Sequence, residues 1–313
     1  MTVSVVLGGA GFIGSHLAEE LVKSGDQVHV VDDLSSGRLT NIEGLLTEKL
    51  CTFHRADISE GIELDVEKID YVFNFASPAS PPFYMGNRIK TLRVGSFGLD
   101  NAIELALKSN ASLIHASTSE VYGDPEMHPQ RESYWGNVNP VGERSCYDES
   151  KRFAEAYCVA FEAEQELRVR IPRIFNTYGP RLSPSDGRVV SNFIYQAISG
   201  EPLTIYGDGS QTRSFCFIDD LVRGICVLAR SEVRGPINFG NPNETTVLEL
   251  AHAVLQITAS TSEIQLLPLP SDDPVRRRPD ISRAKNELSW EPTISLTDGL
   301  QRTVEWFRRM EMK

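Results

Sequence analysis

Short apolar runs alternate with segments of helical spacing through the first half of the chain. Val3–Leu7, Val28–Val31, Tyr71–Phe75, Leu113–Ala116 and Arg168–Ile174 are short runs rich in β-branched and aromatic residues, and they predict strands. Phe12–Ser24, Arg88–Lys108 and Tyr147–Glu166 repeat apolar residues three and four apart and predict helices. Strands that are apolar without strict alternation are buried on both faces, and in repeated β–α order they build a parallel sheet covered by helices. The pattern loosens after Gly179. Gly179-Pro180, Gly187, Gly200, Pro202, Gly207, Gly209 and Gly235-Pro236 punctuate short strands and helices such as Val189–Ser199 and Leu248–Ile257. The expected fold is α/β: a Rossmann-type doubly wound parallel sheet with a smaller α/β C-terminal lobe. Residues 1–178 are read as the dinucleotide-binding domain. Residues 179–313 are read mainly as a substrate-binding lobe, with the chain free to cross between the two.

Composition excludes several classes of partner. The net charge of −12 argues against the phosphate backbone of nucleic acid, although a few local arginines can still hold a small phosphorylated ligand. No apolar run reaches the roughly 18 residues of a membrane span. Val3–Leu7 already reads as a buried strand with no charged segment before it, so no signal peptide and a cytoplasmic location are expected. Cys51, Cys146, Cys158, Cys216 and Cys226 are odd in number and lack C-x-x-C spacing. Reduced thiols are expected, with neither a disulfide framework nor a metal site.

The candidate chemistry begins at Gly8-Gly9-Ala10-Gly11-Phe12-Ile13-Gly14, which ends the first strand and opens the first helix. Glycines there let the backbone turn sharply and approach a pyrophosphate, which the helix N-terminus stabilises. A bare glycine triplet is weak evidence; its position between strand and helix makes it a dinucleotide site. Asp32 ends the second strand, where a carboxylate accepts from ribose hydroxyls and repels a 2′-phosphate, favouring NAD over NADP. Arg38 is a mild counter-signal. Asp57-Ile58, after the third strand, is placed to meet the adenine edge.

Tyr147 and Lys151 form a Y-x-x-x-K pair, which puts both side chains on one helix face. An ammonium there lowers the phenol's pKa and lets Tyr147 remove a proton from an alcohol. The spacing alone is common by chance. Ser117-Thr118-Ser119-Glu120 ends a predicted strand, however, where open α/β sheets bind ligands. The order from glycine loop to strand-end hydroxyls to Y-x-x-x-K is that of a short-chain dehydrogenase/reductase.

With those residues in place, the sequence resembles the extended short-chain dehydrogenases acting on nucleotide sugars, and among them the UDP-glucuronate decarboxylase (UDP-xylose synthase) family. The resemblance covers nearly the whole chain, through GGAGFIGSHL (8–17), NFASPASPP (74–82), HASTSEVYGDPE (115–126), YWGNVNP (134–140), CYDESKR (146–152), RIFNTYGPR (173–181), DGRVVSNFI (186–194), YGDGSQTRSF (206–215) and DDPVRRRPDI (272–281). Related 4,6-dehydratases carry Thr-Asp-Glu at the strand end and use the Asp as acid for water loss; Ser119 stands there in this chain. Four-epimerases usually have Ser or Ala in place of Glu120.

The resemblance implies tightly bound NAD held by Gly8, Gly11, Phe12, Ile13, Gly14, Asp32, Asp33, Gly37, Arg38, Asp57, Ile58, Ala76, Ser77, Ser117, Tyr147 and Lys151. It implies oxidation of UDP-glucuronate at sugar carbon 4, loss of carbon dioxide from the resulting β-keto acid, and re-reduction to UDP-xylose. Tyr147 would be base and then acid at the carbon 4 oxygen, with Lys151 tuning it, Thr118 bonding the same oxygen and Ser119 beside them. Glu120 would orient the ring or handle the proton or water at carbon 5. Arg277 would neutralise phosphate or help Glu120, and is expected to point inward with its neighbours Arg276 and Arg278 outward. Pro78, Asn176, Arg188, Val189, Tyr206, Arg213 and Arg277 would hold the UDP-sugar, Tyr206 by stacking on the base. A homodimer formed by helices 88–108 and 147–166 is implied as well.

Gly95, in Gly95-Ser96-Phe97-Gly98-Leu99-Asp100-Asn101, departs from the family's usual Asn, and Asn137, Glu143 and Ser150 depart more mildly. Gly95 is expected to cost about 1 kcal/mol against alanine and to loosen this helix's tie to the active-site strand. The nearest alternative is a UDP-glucuronate 4-epimerase, or another nucleotide-sugar epimerase or dehydratase of the superfamily. A non-catalytic NAD-binding relative would have lost Tyr147, Lys151 or Glu120, and all three are present.

Overall fold

The computed structural model describes residues 1–268 and 276–311. Among the described residues, eight parallel strands form the central sheet. They are β1 (Val3–Leu7), β2 (Gln27–Asp32), β3 (Cys51–Arg55), β4 (Tyr71–Asn74), β5 (Ser112–His115), β6 (Ser117–Thr118), β7 (Val169–Ile174) and a last strand, Pro236–Phe239. Their order is Pro236–Phe239, β7, β5, β4, β1, β2, β3, with β6 beside β7. The chain winds outward one way through β1, β2 and β3 and the other way through β4, β5 and β7. The reversal beside β1 opens a crevice at the strand C-termini, the usual ligand site of such sheets.

Period-two alternation divides β1 between two cores. Val6 packs with Leu17 and Leu21 of the helix Phe12–Lys23, in a core that extends to Phe193, Ile218 and Trp290. Val5 and Leu7 face the other way, onto Val94, Leu99 and Ile103 of the helix Arg88–Lys108 and Ala154 and Cys158 of the helix Ser145–Gln165. Both faces of the sheet are thus covered, as the continuous apolar strands require.

The long helices approach closely at Gly95. A Cβ there would lie 2.7 Å from Cβ of Ser150. The expected loosening is not what the structure shows: Gly95 lets the two helices meet at Ser150, and this close packing offsets the glycine's helix-propensity cost. Gly235-Pro236, which reads in sequence as a break, opens a strand of the central sheet against β7. Proline is tolerated at a strand's first residue, where its missing N–H costs least. The second half of the chain also forms small sheets. In one of them Thr212–Ser214 lies between Glu244–Thr246 and Arg276–Arg277.

Candidate active site

A cleft of about 1250 Å³ opens at the C-terminal ends of the central strands. The residues expected to bind cofactor, bind substrate or react line it. On one side are Gly8, Gly11, Phe12, Ile13, Gly14, Asp32, Asp33, Gly37, Arg38, Asp57 and Ile58; Ala76, Ser77 and Pro78 follow β4. Ser117, Thr118, Ser119, Glu120, Tyr147 and Lys151 lie at the centre, with Asn176, Arg188, Val189, Tyr206, Arg213 and Arg277 beyond.

The glycine loop is tight. A Cβ on Gly14 would fall on the Gly8 carbonyl, and one on Gly8, at φ +76°, would lie 2.7 Å from the Ala76 backbone. The loop thus has room for an approaching group but not for a side chain. Asp32 braces it, accepting from the Ala10 N–H at 3.0 Å and from the Leu34 N–H at 2.8 Å. Burial pushes the Asp32 carboxyl up, against those two N–H groups. Asp57 is engaged by Lys90 and by Ser59, whose hydroxyl donates at 2.8 Å. Arg38 reaches across the cleft to Ser183 Oγ at 3.2 Å.

Tyr147 lies in the first turns of the helix Ser145–Gln165, its ring stacked on Tyr84 at 5.0 Å. Lys151, one turn on, donates to the Ala116 carbonyl at 2.7 Å, and its Nζ lies 5.9 Å from the Tyr147 ring centroid. Burial brings the ammonium down to about 8. The phenol is pushed up to about 12, first by burial and then by the negative Glu120; hydrogen bonding with Thr118 and the charge of Arg188 oppose this less strongly. The expected depression of the phenol by Lys151 is therefore not met in the polypeptide itself, because burial dominates and the ammonium is spent on a carbonyl.

Glu120 begins the turn after β6 and is gripped by two arginines. Arg277 takes it with both guanidinium nitrogens, Nη2 at 2.9 Å from Oε2, and Arg144 Nη2 lies 2.7 Å from the same oxygen. Burial pushes the Glu120 carboxyl up, but Arg277 and Arg144 outweigh it and hold the group below its ordinary value, ionised at neutral pH. Ser119 is buried at the start of the same turn. Arg213 pairs with Arg277 in parallel register, so the two guanidinium stems rise side by side. Arg188 is held by Asp186. Arg277 is buried, as expected. Arg278 departs from the outward expectation: its side chain is half-buried, 3.7 Å from Glu244. Residues 272–275 of the DDPVRRRPDI motif and the Arg276 side chain lie outside the described residues.

A scan against family models matches residues 4–240 to the NAD dependent epimerase/dehydratase family. The chain belongs to that family. Among curated members it is 50% identical over 305 residues to UDP-glucuronic acid decarboxylase 1 of Danio rerio, covering 97% of this chain and 72% of that protein. UDP-glucuronic acid decarboxylase 1 of Arabidopsis thaliana is 49% identical over 304 residues, with coverages of 97% and 69%. Among solved structures, a UDP-glucose 4-epimerase from Thermotoga maritima with UDP-glucose superposes with a TM-score of 0.89 at 30% identity, covering 99% of this chain and 100% of that one. A UDP-glucuronic acid 4-epimerase from Bacillus cereus with UDP-glucuronic acid and NAD gives 0.87 at 28% identity, again covering 99% and 100%.

The NAD of this epimerase/dehydratase family fits the residues present. At Gly8 and Gly14 the cradle leaves no space for a Cβ, and Asp32 stands at its edge with a lone pair on each oxygen beyond the ones used by the backbone. No group of His, Cys, Asp and Glu among the described residues could hold a metal ion. No described helix is long and apolar enough to cross a membrane. The sequence reading missed Arg144, Tyr84, Lys90 and Asp186. Two of them carry a sequence signal: Arg144 stands three residues before Tyr147, one helical turn away, and Asp186 opens the DGRVVSNFI motif two residues before Arg188.

Proposed function

We propose that this chain is a UDP-glucuronate decarboxylase, releasing UDP-xylose and carbon dioxide with no net change in NAD. The observation that carries the reading is the Glu120 clamp beside Tyr147: a carboxylate held between Arg277 and Arg144, with a serine, not an acid, at position 119. The roughly half-identical decarboxylases support the substrate and outcome.

NAD held by the Gly8–Gly14 loop and Asp32 would supply hydride acceptance and return at sugar carbon 4. Tyr147 takes the proton of the carbon 4 hydroxyl and gives it back, and Thr118, at the end of β6 in the same cleft, shares that oxygen. Lys151 holds the nicotinamide ribose. Once carbon 4 is a ketone, the carboxylate on carbon 5 belongs to a β-keto acid; carbon dioxide leaves, the electrons of the breaking bond flow into the ketone as an enolate, and carbon 5 takes a proton from water before carbon 4 is reduced again. Arg277 and Arg144 hold Glu120 ionised at neutral pH, which suits a role in orienting the ring. Ser119 offers no acid that would expel water. Arg188 and Arg213 face the diphosphate, where guanidinium groups bind bidentately. Tyr206, half-exposed at the cleft mouth, stacks on uracil.

The test is to incubate purified protein with UDP-glucuronate and weigh the product. A UDP-pentose lighter by carbon dioxide is expected. UDP-galacturonate of unchanged mass would overturn the reading in favour of a 4-epimerase.

The active unit in this reading is a homodimer. Ile89, Leu92 and Phe97 on the helix Arg88–Lys108 and Phe153 and Val159 on the helix Ser145–Gln165 are exposed apolar side chains on adjacent helices. Pairing two copies through these helices would bury them as a four-helix bundle and brace the helix that carries Tyr147. Sedimentation at micromolar concentration should give twice the 34.8 kDa chain mass; a monomer would refute the pairing.

A further inference from the structure

A run of buried polar groups behind the cleft has no part in the mechanism above. It starts next to Thr118, at Ser117, and the Ser117 hydroxyl donates to Glu155 Oε1 at 2.5 Å. Glu155 holds Arg173 with both oxygens, at 2.8 and 2.6 Å. Arg173 Nη1 donates to the Tyr122 hydroxyl at 2.8 Å, and that hydroxyl donates to Asn238 Oδ1 at 2.8 Å. Asn238 Nδ2 donates to the Gln130 and Asp280 carbonyls, each at 3.1 Å.

Gln130 in turn grips the segment that follows Arg277. Its Oε1 accepts from the Arg278 N–H at 2.8 Å, its N–H donates to the Arg278 carbonyl at 2.9 Å, and its carbonyl accepts from the Asp280 N–H at 2.7 Å. Tyr122, Gln130 and Asn238 are each 0% exposed. One end of the run therefore stands at the strand that carries Thr118, and the other fixes the backbone from which Arg277 reaches Glu120. Tyr122 is the joint. Its hydroxyl both accepts and donates, and its backbone belongs to the same short turn, Ser119–Tyr122, that presents Glu120.

We propose that Tyr122 is a positioning residue, whose hydroxyl sets Arg277 against Glu120 and so governs the rate of the sugar chemistry. The inference rests on the decarboxylase reading. Without the hydroxyl, Asn238 Oδ1 and one Arg173 N–H lose their partner in a buried site, where such a loss is costly. The Asn238 amide is then free to turn, releasing the Gln130 and Asp280 carbonyls. The aromatic packing of the ring on Tyr134 and Phe175 is retained by phenylalanine.

The test is a double-mutant cycle on the holoenzyme. Tyr122→Phe should lower kcat on the order of tenfold, as one buried hydrogen-bond partner is worth. KM for UDP-glucuronate should stay within about twofold of the parent, the margin of an additive, uncoupled site, and bound NAD should be unchanged. In an Arg277→Lys background the same substitution should change kcat little, because the group it places is already lost. Asn238→Leu breaks the run from the other side and should behave alike, which covers the case in which Tyr122→Phe does not fold. An unchanged kcat, the same fold-loss in both backgrounds, or a loss of NAD in step with kcat would each overturn the proposal. A parent protein that yields no UDP-xylose would instead refute the decarboxylase reading, so the two failures are distinguishable.

Discussion

Tyr147→Phe is expected to lower the rate of UDP-xylose formation by about 10²–10⁴-fold, the usual loss for a general acid–base group, while the purified protein keeps its NAD. The substitution removes one oxygen and leaves the ring stacked on Tyr84. Lys151 keeps its bond to the Ala116 carbonyl, so the cofactor side of the site is undisturbed. The phenol stands at about 12 in the polypeptide, chiefly through burial, and is therefore protonated at neutral pH. The fraction able to act as base grows with pH, so parental kcat should climb on the alkaline side. Above about 8 the burial-depressed Lys151 loses its charge and should cap that climb. The variant should show no such limb. Quenched product assays across pH, with bound NAD measured by absorbance after denaturation, check both points; near-parental turnover by the variant would remove Tyr147 from the mechanism.

Glu120→Ala should be the next most damaging change. It leaves Arg277 buried without its anion, and breaking one side of a buried pair costs roughly 3–5 kcal/mol. The low end applies here, because Arg144 is partly solvated, with a side chain 25% exposed. Turnover should fall far more than NAD content, since Glu120 grips the sugar side of the cleft and not the glycine loop. Parental protein should also lose stability on acidification that the variant does not. Burial raises the Glu120 carboxyl, but Arg277 and Arg144 lower it further, so its native value lies below the unfolded value. The pair's contribution is then present at neutral pH and is lost as pH falls below the ordinary carboxylate range, about 4.3, through the native value. Thermal melts at pH 7 and below pH 4, with cofactor content measured alongside, test this. A variant that loses NAD in proportion to turnover would place Glu120 in cofactor binding instead.

Much of this molecule is dictated locally. The apolar runs from Val3–Leu7 to Arg168–Ile174 had to become buried strands, because only a sheet covered on both faces removes such residues from water. The glycines of Gly8–Gly14 had to form a close turn, since any side chain at position 14 meets the carbonyl of Gly8. The Y-x-x-x-K spacing had to place Tyr147 and Lys151 on one helix face. Such features depend on neighbours within a few positions, and so they are legible in one dimension.

Charge states and long-range partners are not. Nothing in the sequence says that burial would outweigh Lys151 at the Tyr147 phenol, because desolvation is a property of what packs around a group. The resemblance left Arg277, 157 positions from Glu120, between phosphate and Glu120, and Arg144 was not singled out; the meeting with Glu120 depends on the strand Arg276–Arg277 joining Thr212–Ser214 beside the cleft. Gly235-Pro236 reads locally as a break, yet β7 offers it an open edge, and pairing there overrides the punctuation. Gly95 looks like a simple cost until Ser150 is found against it. The sequence alone determined the fold and the cofactor loop, and it supplied the side chains proposed to react. The tertiary structure decided which of those side chains are charged, and what holds them, because electrostatics and packing are set by neighbours distant along the chain.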